Sequence, residues 1–178
     1  MRVVAGRYGG RRLGAPRGIA TRPTADRVRE ALFALLGDVR GLAVLDLFAG
    51  SGALGIEALS RGAASSTFVD SAPRAVRAVR DNLDALGIGE AVVRRSDARA
   101  FLRNARTQGR QYDLVFLDPP YRRAAGLASE LSSLLPPVLA PRARVVCESD
   151  RRAPLDLALP VTDERAYGDT LIRVHERK

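Results

Sequence analysis

Cysteine, histidine and lysine are nearly missing from this chain of 178 residues, and tryptophan is absent. Cys147 is the sole cysteine, so no intrachain disulfide can form and no cysteine cluster can hold zinc. His175 is the sole histidine and stands three residues from the end, which leaves a Ser-His-Asp triad a single possible base. No segment approaches the roughly 20 apolar residues that cross a bilayer. The opening Arg2-Val3-Val4-Ala5-Gly6-Arg7 holds too short an apolar core for a secretory signal. The expectation is a cytoplasmic protein with no membrane partner and no metal. A chain of this length suits one domain and buries roughly 70% of its unfolded surface without staples.

Acids are scarce relative to bases: 20 Asp and Glu against 29 Lys and Arg, a net charge of +9. Among the bases Lys178 alone is lysine. Codon bias explains Arg in place of Lys, but not the excess of base over acid. A net positive field points to a polyanion, most often nucleic acid. The imbalance is sharpest in residues 1–23, which carry Arg2, Arg7, Arg11, Arg12, Arg17 and Arg22, five glycines and no acid. Val3-Val4-Ala5-Gly6 and Arg12-Leu13 on either side of Tyr8-Gly9-Gly10 read as a short hairpin. A solvated basic arm is the bland alternative; an RNA-contacting arm is the reading favoured. Residues 1–23 are therefore set apart from a catalytic domain over 24–178.

Strands and helices then alternate. Thr24 reads as an N-cap, with Val28, Ala31, Leu32, Leu35 and Leu36 at helical spacing and Gly37 as the stop. Strands are predicted at 43–47, 66–69, 91–94, 112–117 and 144–147. Helices are predicted at 53–60, after Ser71 as cap with Pro73 in the first turn, at 97–106 and at 127–135. Pro136-Pro137 stops the last of these, and residues 161–166 and 170–174 close the chain as a hairpin around Gly168. The alternation implies βαβ units, a parallel sheet and a doubly wound α/β fold. Ligands in such folds bind beyond the carboxyl ends of the strands, which is where the informative residues stand.

The first strand runs into Asp46-Leu47-Phe48-Ala49-Gly50-Ser51-Gly52-Ala53-Leu54-Gly55. Gly50, Gly52 and Gly55 make a G-x-G-x-x-G between strand and helix, which also fits dinucleotide binders. Asp70 ends the next strand about 20 residues on, placed to accept from ribose hydroxyls. Asp46 discriminates. A carboxylate just before the loop would repel the pyrophosphate of a nicotinamide cofactor. It suits S-adenosylmethionine, which has no phosphate and carries an ammonium and a sulfonium. The alternative for Asp46 is a structural acid capping the helix. Asp97, before Ala98, can accept from an adenine amine, cap the following helix, or do both.

The fourth strand ends in Asp118-Pro119-Pro120-Tyr121. Two prolines cannot extend a sheet and impose a rigid exit. An exocyclic base amine is a poor nucleophile because its lone pair is delocalised into the ring. Hydrogen bonds from its two hydrogens to the Asp118 carboxylate and the Pro119 carbonyl would localise that pair and stabilise the charge growing on nitrogen. Tyr121 can stack on an extruded base.

With these residues assembled, the chain resembles the bacterial 16S ribosomal RNA guanine-N2 methyltransferases of the small-subunit methyltransferase D family. Arg2-Val3-Val4-Ala5-Gly6, Arg11-Arg12-Leu13, Thr21-Arg22-Pro23-Thr24 and Asp26-Arg27-Val28-Arg29-Glu30-Ala31-Leu32-Phe33 carry the specific part. The loop from Leu45 to Gly52, Gly55-Ile56-Glu57-Ala58 and the Asp118–Tyr121 turn carry the part shared with other amino-methyltransferases. The resemblance implies a Rossmann-like class I methyltransferase. Its sheet would have seven mainly parallel strands and a C-terminal antiparallel hairpin, preceded by the basic N-terminal hairpin. It implies S-adenosylmethionine at Asp46, Phe48, Ala49, Gly50, Ser51, Gly52, Asp70, Ser71, Asp97, Ala98 and Asp118. It implies catalysis by Asp118, Pro119, Pro120 and Tyr121. RNA would meet Arg2, Arg7, Arg11, Arg12, Arg17, Arg22 and Arg27. The expected partner is 16S ribosomal RNA, in or out of the small subunit, met by a monomer. Methylation of another RNA or of adenine N6 in DNA is the alternative, with a nicotinamide oxidoreductase and a binding-only protein behind it.

Overall fold

The computed structural model describes residues 1–16, 26–119 and 124–177. The predicted Thr24 cap, Arg17, Arg22, Pro120 and Tyr121 lie outside these residues. Helix α1 covers Asp26–Leu36, followed by β1 Ala43–Leu47, α2 Ala53–Ser60, β2 Ser65–Asp70 and α3 Pro73–Leu86. Then come β3 Ala91–Arg95, α4 Ala98–Thr107, β4 Tyr112–Leu117 and α5 Ala124–Leu134. A 3-10 turn at Pro136–Val138 leads into β5 Leu139–Asp150, β6 Val161–Tyr167 and β7 Thr170–Glu176.

The strands form one sheet in the order β3-β2-β1-β4-β5-β7-β6. The first five are parallel, and β7 runs antiparallel between β5 and β6. This is the doubly wound sheet with an antiparallel hairpin that the sequence predicts. The order reverses between β1 and β4, so the crevice for a ligand opens beyond Leu47 and Leu117, which pair in register.

Period-two alternation assigns the strands' side chains to two layers. Val44, Leu114, Phe116 and Val146 face Leu32, Phe33 and Leu36 of α1 and Leu54 and Ala58 of α2. Leu45, Leu47, Val115, Leu117 and Val145 face Phe101, Leu102 and Ala105 of α4 and Leu131 of α5. Each fully buried Leu or Phe here stabilises the fold by roughly 1.5–3 kcal/mol before entropy. Gly55 lets α2 lie close on β2: a Cβ there would sit 2.3 Å from the Phe68 ring.

The N-terminal residues form the predicted hairpin, and it is docked. The Val3 N–H donates to the Arg11 carbonyl at 2.9 Å, and the Leu13 N–H donates to Met1 at 3.0 Å. Val3 and Leu13 are buried with Ile56, Leu59, Val79 and Leu83 of α2 and α3. Glu57, fully buried on α2, accepts the Val4 and Ala5 N–H groups at 2.7 and 3.0 Å and Arg61 Nε at 2.7 Å.

Three local expectations are corrected. Ala72, not Ser71, caps α3, and its N–H is taken by Asp70 Oδ1 at 2.8 Å, so the strand-end carboxylate does the work expected of the serine. Strand β5 starts at Leu139, well before 144, because Leu139 pairs with Tyr112 of β4 and the Ala143 carbonyl accepts the Arg177 N–H at 2.9 Å, on either side of exposed Pro141 and Arg142. Helix α5 starts at Ala124 instead of 127.

Candidate active site

Four strand ends deliver the residues singled out from the sequence to one edge of the sheet. Asp46, at the end of β1, is 3% exposed. Its Oδ2 accepts the Gly55 N–H at 3.0 Å, which caps the first turn of α2. This is the structural role weighed for Asp46 beside the cofactor role. Burial pushes its carboxyl up to about 8; the Gly55 bond works against this, and the negative charge of Asp70 adds to it.

Asp70, at the end of β2, ties the glycine loop to the next turn: Oδ2 accepts the Gly50 N–H at 3.0 Å, while Oδ1 holds Ala72. Its backbone carbonyl accepts the Ser96 N–H at 3.1 Å and so brings Asp97 alongside. Asp97 caps α4 by accepting the Arg99 and Ala100 N–H groups at 3.0 and 3.3 Å. The Arg99 guanidinium, 3.2 Å away, holds it below the usual carboxylate value. Ala98 is buried and Ser71 exposed.

Within the loop Phe48 has φ 64°, a left-handed conformation costing a non-glycine residue roughly 1–2 kcal/mol. Ser51 is buried, its hydroxyl 3.4 Å from the Met1 sulfur, so the hairpin reaches the loop. Asn82 on α3 closes this junction. Its amide donates to the carbonyls of Ser51 at 2.9 Å and Gly14 at 3.0 Å, and its oxygen accepts the Gly14 N–H at 2.7 Å.

Asp118 leaves β4 beside this loop. Burial pushes its carboxyl well above the ordinary range, and the charges of Glu148 and Asp46 push the same way. Pro119 is buried behind it. Asp46, Asp70 and Asp118 therefore line the glycine loop with carboxyl groups, and a bound cation would favour the ionised form of the two that burial holds protonated. This donor set suits a ligand with an ammonium and a sulfonium, and opposes a pyrophosphate. Among the described residues no group of three or more His, Cys, Asp or Glu is placed to hold a metal ion, and no helix is long and apolar enough to cross a membrane.

The basic residues form a separate set. Arg2, Arg7, Arg11 and Arg12 are exposed on the hairpin, and Arg27 is exposed on α1. Arg11 Nη2 donates to the Ala85 carbonyl at 2.9 Å, Arg2 Nε lies 3.3 Å from Asp26, and Arg7 stands over the Tyr8 ring at 5.3 Å. Sequence reasoning gave no role to Arg29, Glu57, Asn82 or Glu148, all buried. Each is a polar residue on an otherwise apolar stripe: Asn82 three residues after Val79, Glu57 between Ile56 and Ala58. His175 is buried with Nδ1 2.9 Å from the Leu159 carbonyl, held neutral by burial and far from triad chemistry.

Strand order, glycine loop and acid-ended fourth strand define a class I methyltransferase fold. The chain belongs to the family described as Conserved hypothetical protein 95, which matches residues 1–176. It is 38% identical to the putative rRNA methyltransferase YlbH of Bacillus subtilis over the whole of both chains. It is also 38% identical to the ribosomal RNA small subunit methyltransferase D of Escherichia coli K12, over all of this chain and 90% of that one. The solved structure of the putative methyltransferase YhhF from Escherichia coli superposes with a TM-score of 0.86 at 37% identity, over 100% of this chain and 98% of the other. A methyltransferase structure complexed with S-adenosylhomocysteine, SMU.776, shares the fold with a TM-score of 0.73 at 16% identity, over 85% of this chain and 49% of that one.

Proposed function

We propose that this protein is an S-adenosylmethionine-dependent methyltransferase that modifies the exocyclic N2 amine of a guanine in small-subunit ribosomal RNA, acting as a cytoplasmic monomer. The observation that carries the reading is Asp118: a half-buried residue just after β4, its carboxyl raised by desolvation, followed by buried Pro119 and beside an acid-lined glycine loop. The relatives named as ribosomal RNA methyltransferases support the substrate class.

The residues fit the cofactor. Asp70 and Asp97 would meet its ribose and adenine, and the glycine loop with Asp46 would meet its amino-acid end. When bound, S-adenosylmethionine supplies an electrophilic methyl group on a sulfonium. The protein's own work is orientation and electrostatics. Asp118 and the Pro119 carbonyl accept the two amine hydrogens and turn the nitrogen lone pair toward the methyl carbon. Methylation of the nitrogen would release one amine proton, which the Asp118 carboxylate hydrogen-bonded to it, or water, would accept. The basic hairpin holds phosphates without reading sequence.

The deciding experiment is transfer of labelled methyl to small ribosomal subunits that lack the modification, followed by digestion to nucleosides. Label on N2-methylguanosine is expected. Label on N6-methyladenosine, or on DNA in a parallel reaction, would overturn the substrate and leave the chemistry.

A further inference from the structure

At the carboxyl edge the strand register sets three carboxyl groups on one face. Asp46 pairs with Phe116, and Phe116 with Val146. Asp118 and Glu148 each come two residues later, so both return to the face of Phe116 and Val146. Ile172, the partner of Glu148 on β7, packs in the same apolar cluster as those two residues. Helix α1 covers that face through Leu32, Phe33 and Leu36. One turn before Leu32 and Phe33 stands Arg29, fully buried.

The guanidinium of Arg29 is incompletely bonded. Nη2 donates to the Arg2 carbonyl and to Asp26 Oδ1, the latter at 2.8 Å. Among the described residues its Nε and Nη1 have no hydrogen-bond partner. A buried cation with unused donors is costly unless nearby carboxylates offset it. Asp26, Glu57 and Glu148 do so, acting on it in that order against the desolvation. Glu148, itself 6% exposed, is also the leading charged neighbour of Asp118, ahead of Asp46. Charge thus runs from Arg29 through Glu148 to Asp118.

Resting on the methyl-transfer reading, we propose that Glu148 and Arg29 are positioning residues: Glu148 acts on Asp118, Arg29 offsets Glu148, and the pair governs whether Asp118 meets the amine as an acceptor carboxylate. A protonated Asp118 would present an O–H to the amine and lose one of its acceptor positions. A like charge beside it favours that wrong form, and a cation behind the like charge opposes it. Among the described residues the charged groups acting on Asp118 are Glu148 on β5 and Asp46 on β1, while Arg29 on α1 acts on Glu148 and is itself offset by Asp26 and Glu57. Arg173 and His175 on β7 flank Val174, which packs in the α1-side cluster, and so point to the opposite face.

Carbon-13 NMR of carboxyl-labelled aspartate tests this in the cofactor-free protein, with the Asp118 signal assigned by its loss in Asp118→Asn. Glu148→Gln keeps the side-chain shape and removes the charge. It is expected to lower the Asp118 midpoint by about one pH unit and to move the acidic limb of the pH–rate profile the same way. Arg29→Met is expected to move both upward, and Arg29→Lys to return them toward wild type. If circular dichroism shows that Arg29→Met does not fold, Glu148→Gln still decides. An unchanged Asp118 midpoint in folded Glu148→Gln overturns the proposal. A shifted midpoint in a protein that methylates no RNA upholds the charge pair and counts against the methyl-transfer reading.

Discussion

Asp46 meets almost no water, and a carboxyl raised to about 8 binds its proton more tightly in the folded chain than in the unfolded one. In the cofactor-free protein its contribution to stability is complete below the unfolded value of about 4 and is lost as pH rises through about 8. Urea unfolding at about pH 4 and about pH 9 should show the wild type losing stability across this window. Asp46→Asn keeps an oxygen for the Gly55 N–H and should flatten the dependence; an equally steep Asp46→Asn curve would assign it to other groups. In the proposed function Asp118 accepts an amine hydrogen of the base. Asp118→Ala is expected to reduce single-turnover methyl transfer by roughly 10²–10³-fold, the scale of losing one transition-state hydrogen-bond partner. Calorimetry should find cofactor affinity within a few-fold of wild type, and equal losses in both would assign Asp118 to cofactor binding instead.

At the scale of elements, the hairpin and α2 act as one unit. Gly6 approaches α2 so closely that a Cβ would lie 1.9 Å from the Ser60 carbonyl oxygen, and its φ of 82° is already in the glycine region. Glu57 serves two hairpin N–H groups and Arg61 at once. Glu57→Ala should therefore cost roughly 3 kcal/mol, the range for breaking a buried charge pair. It should also release the Val3, Gly10 and Leu13 amides to hydrogen exchange ahead of the sheet. Protection of those amides unchanged from wild type would show that apolar packing of Val3 and Leu13 alone docks the hairpin. Through Met1 and Asn82 the same unit touches the glycine loop, so a loosened hairpin should also weaken cofactor binding.

Across the whole molecule the net charge of +9 is uneven: the hairpin holds exposed Arg2, Arg7, Arg11 and Arg12, while acids gather at the carboxyl edge of the sheet. In the proposed function, this basic rim around an acidic site would hold phosphates outside while a single base enters. Replacing Arg11 and Arg12 with Gln should flatten the dependence of log K on log salt by about 0.7–0.9 per lost phosphate contact. Filter binding of ribosomal RNA over a salt series reads this, and an unchanged slope would put the RNA on another face.

The sequence by itself determined β1, α2 and β4 to the residue, and the order of strands and helices. It also determined that Asp46, Asp70, Asp97 and Asp118 stand at or just beyond the carboxyl ends of strands. These are local matters: apolar runs, glycine and proline positions, and an acid after each run fix them within a few residues of chain. Tertiary structure alone decided the rest. The cap of α3 passed from Ser71 to Ala72, because the strand-end carboxylate of Asp70, not the serine, takes the Ala72 N–H. Strand β5 lengthened because Tyr112 pairs with Leu139 and the Arg177 N–H reaches the Ala143 carbonyl, contacts from chain-distant residues. Arg29, Glu57, Asn82 and Glu148 gained meaning only when distant elements closed on them, since a buried polar side chain is defined by its partners and no local pattern encodes those.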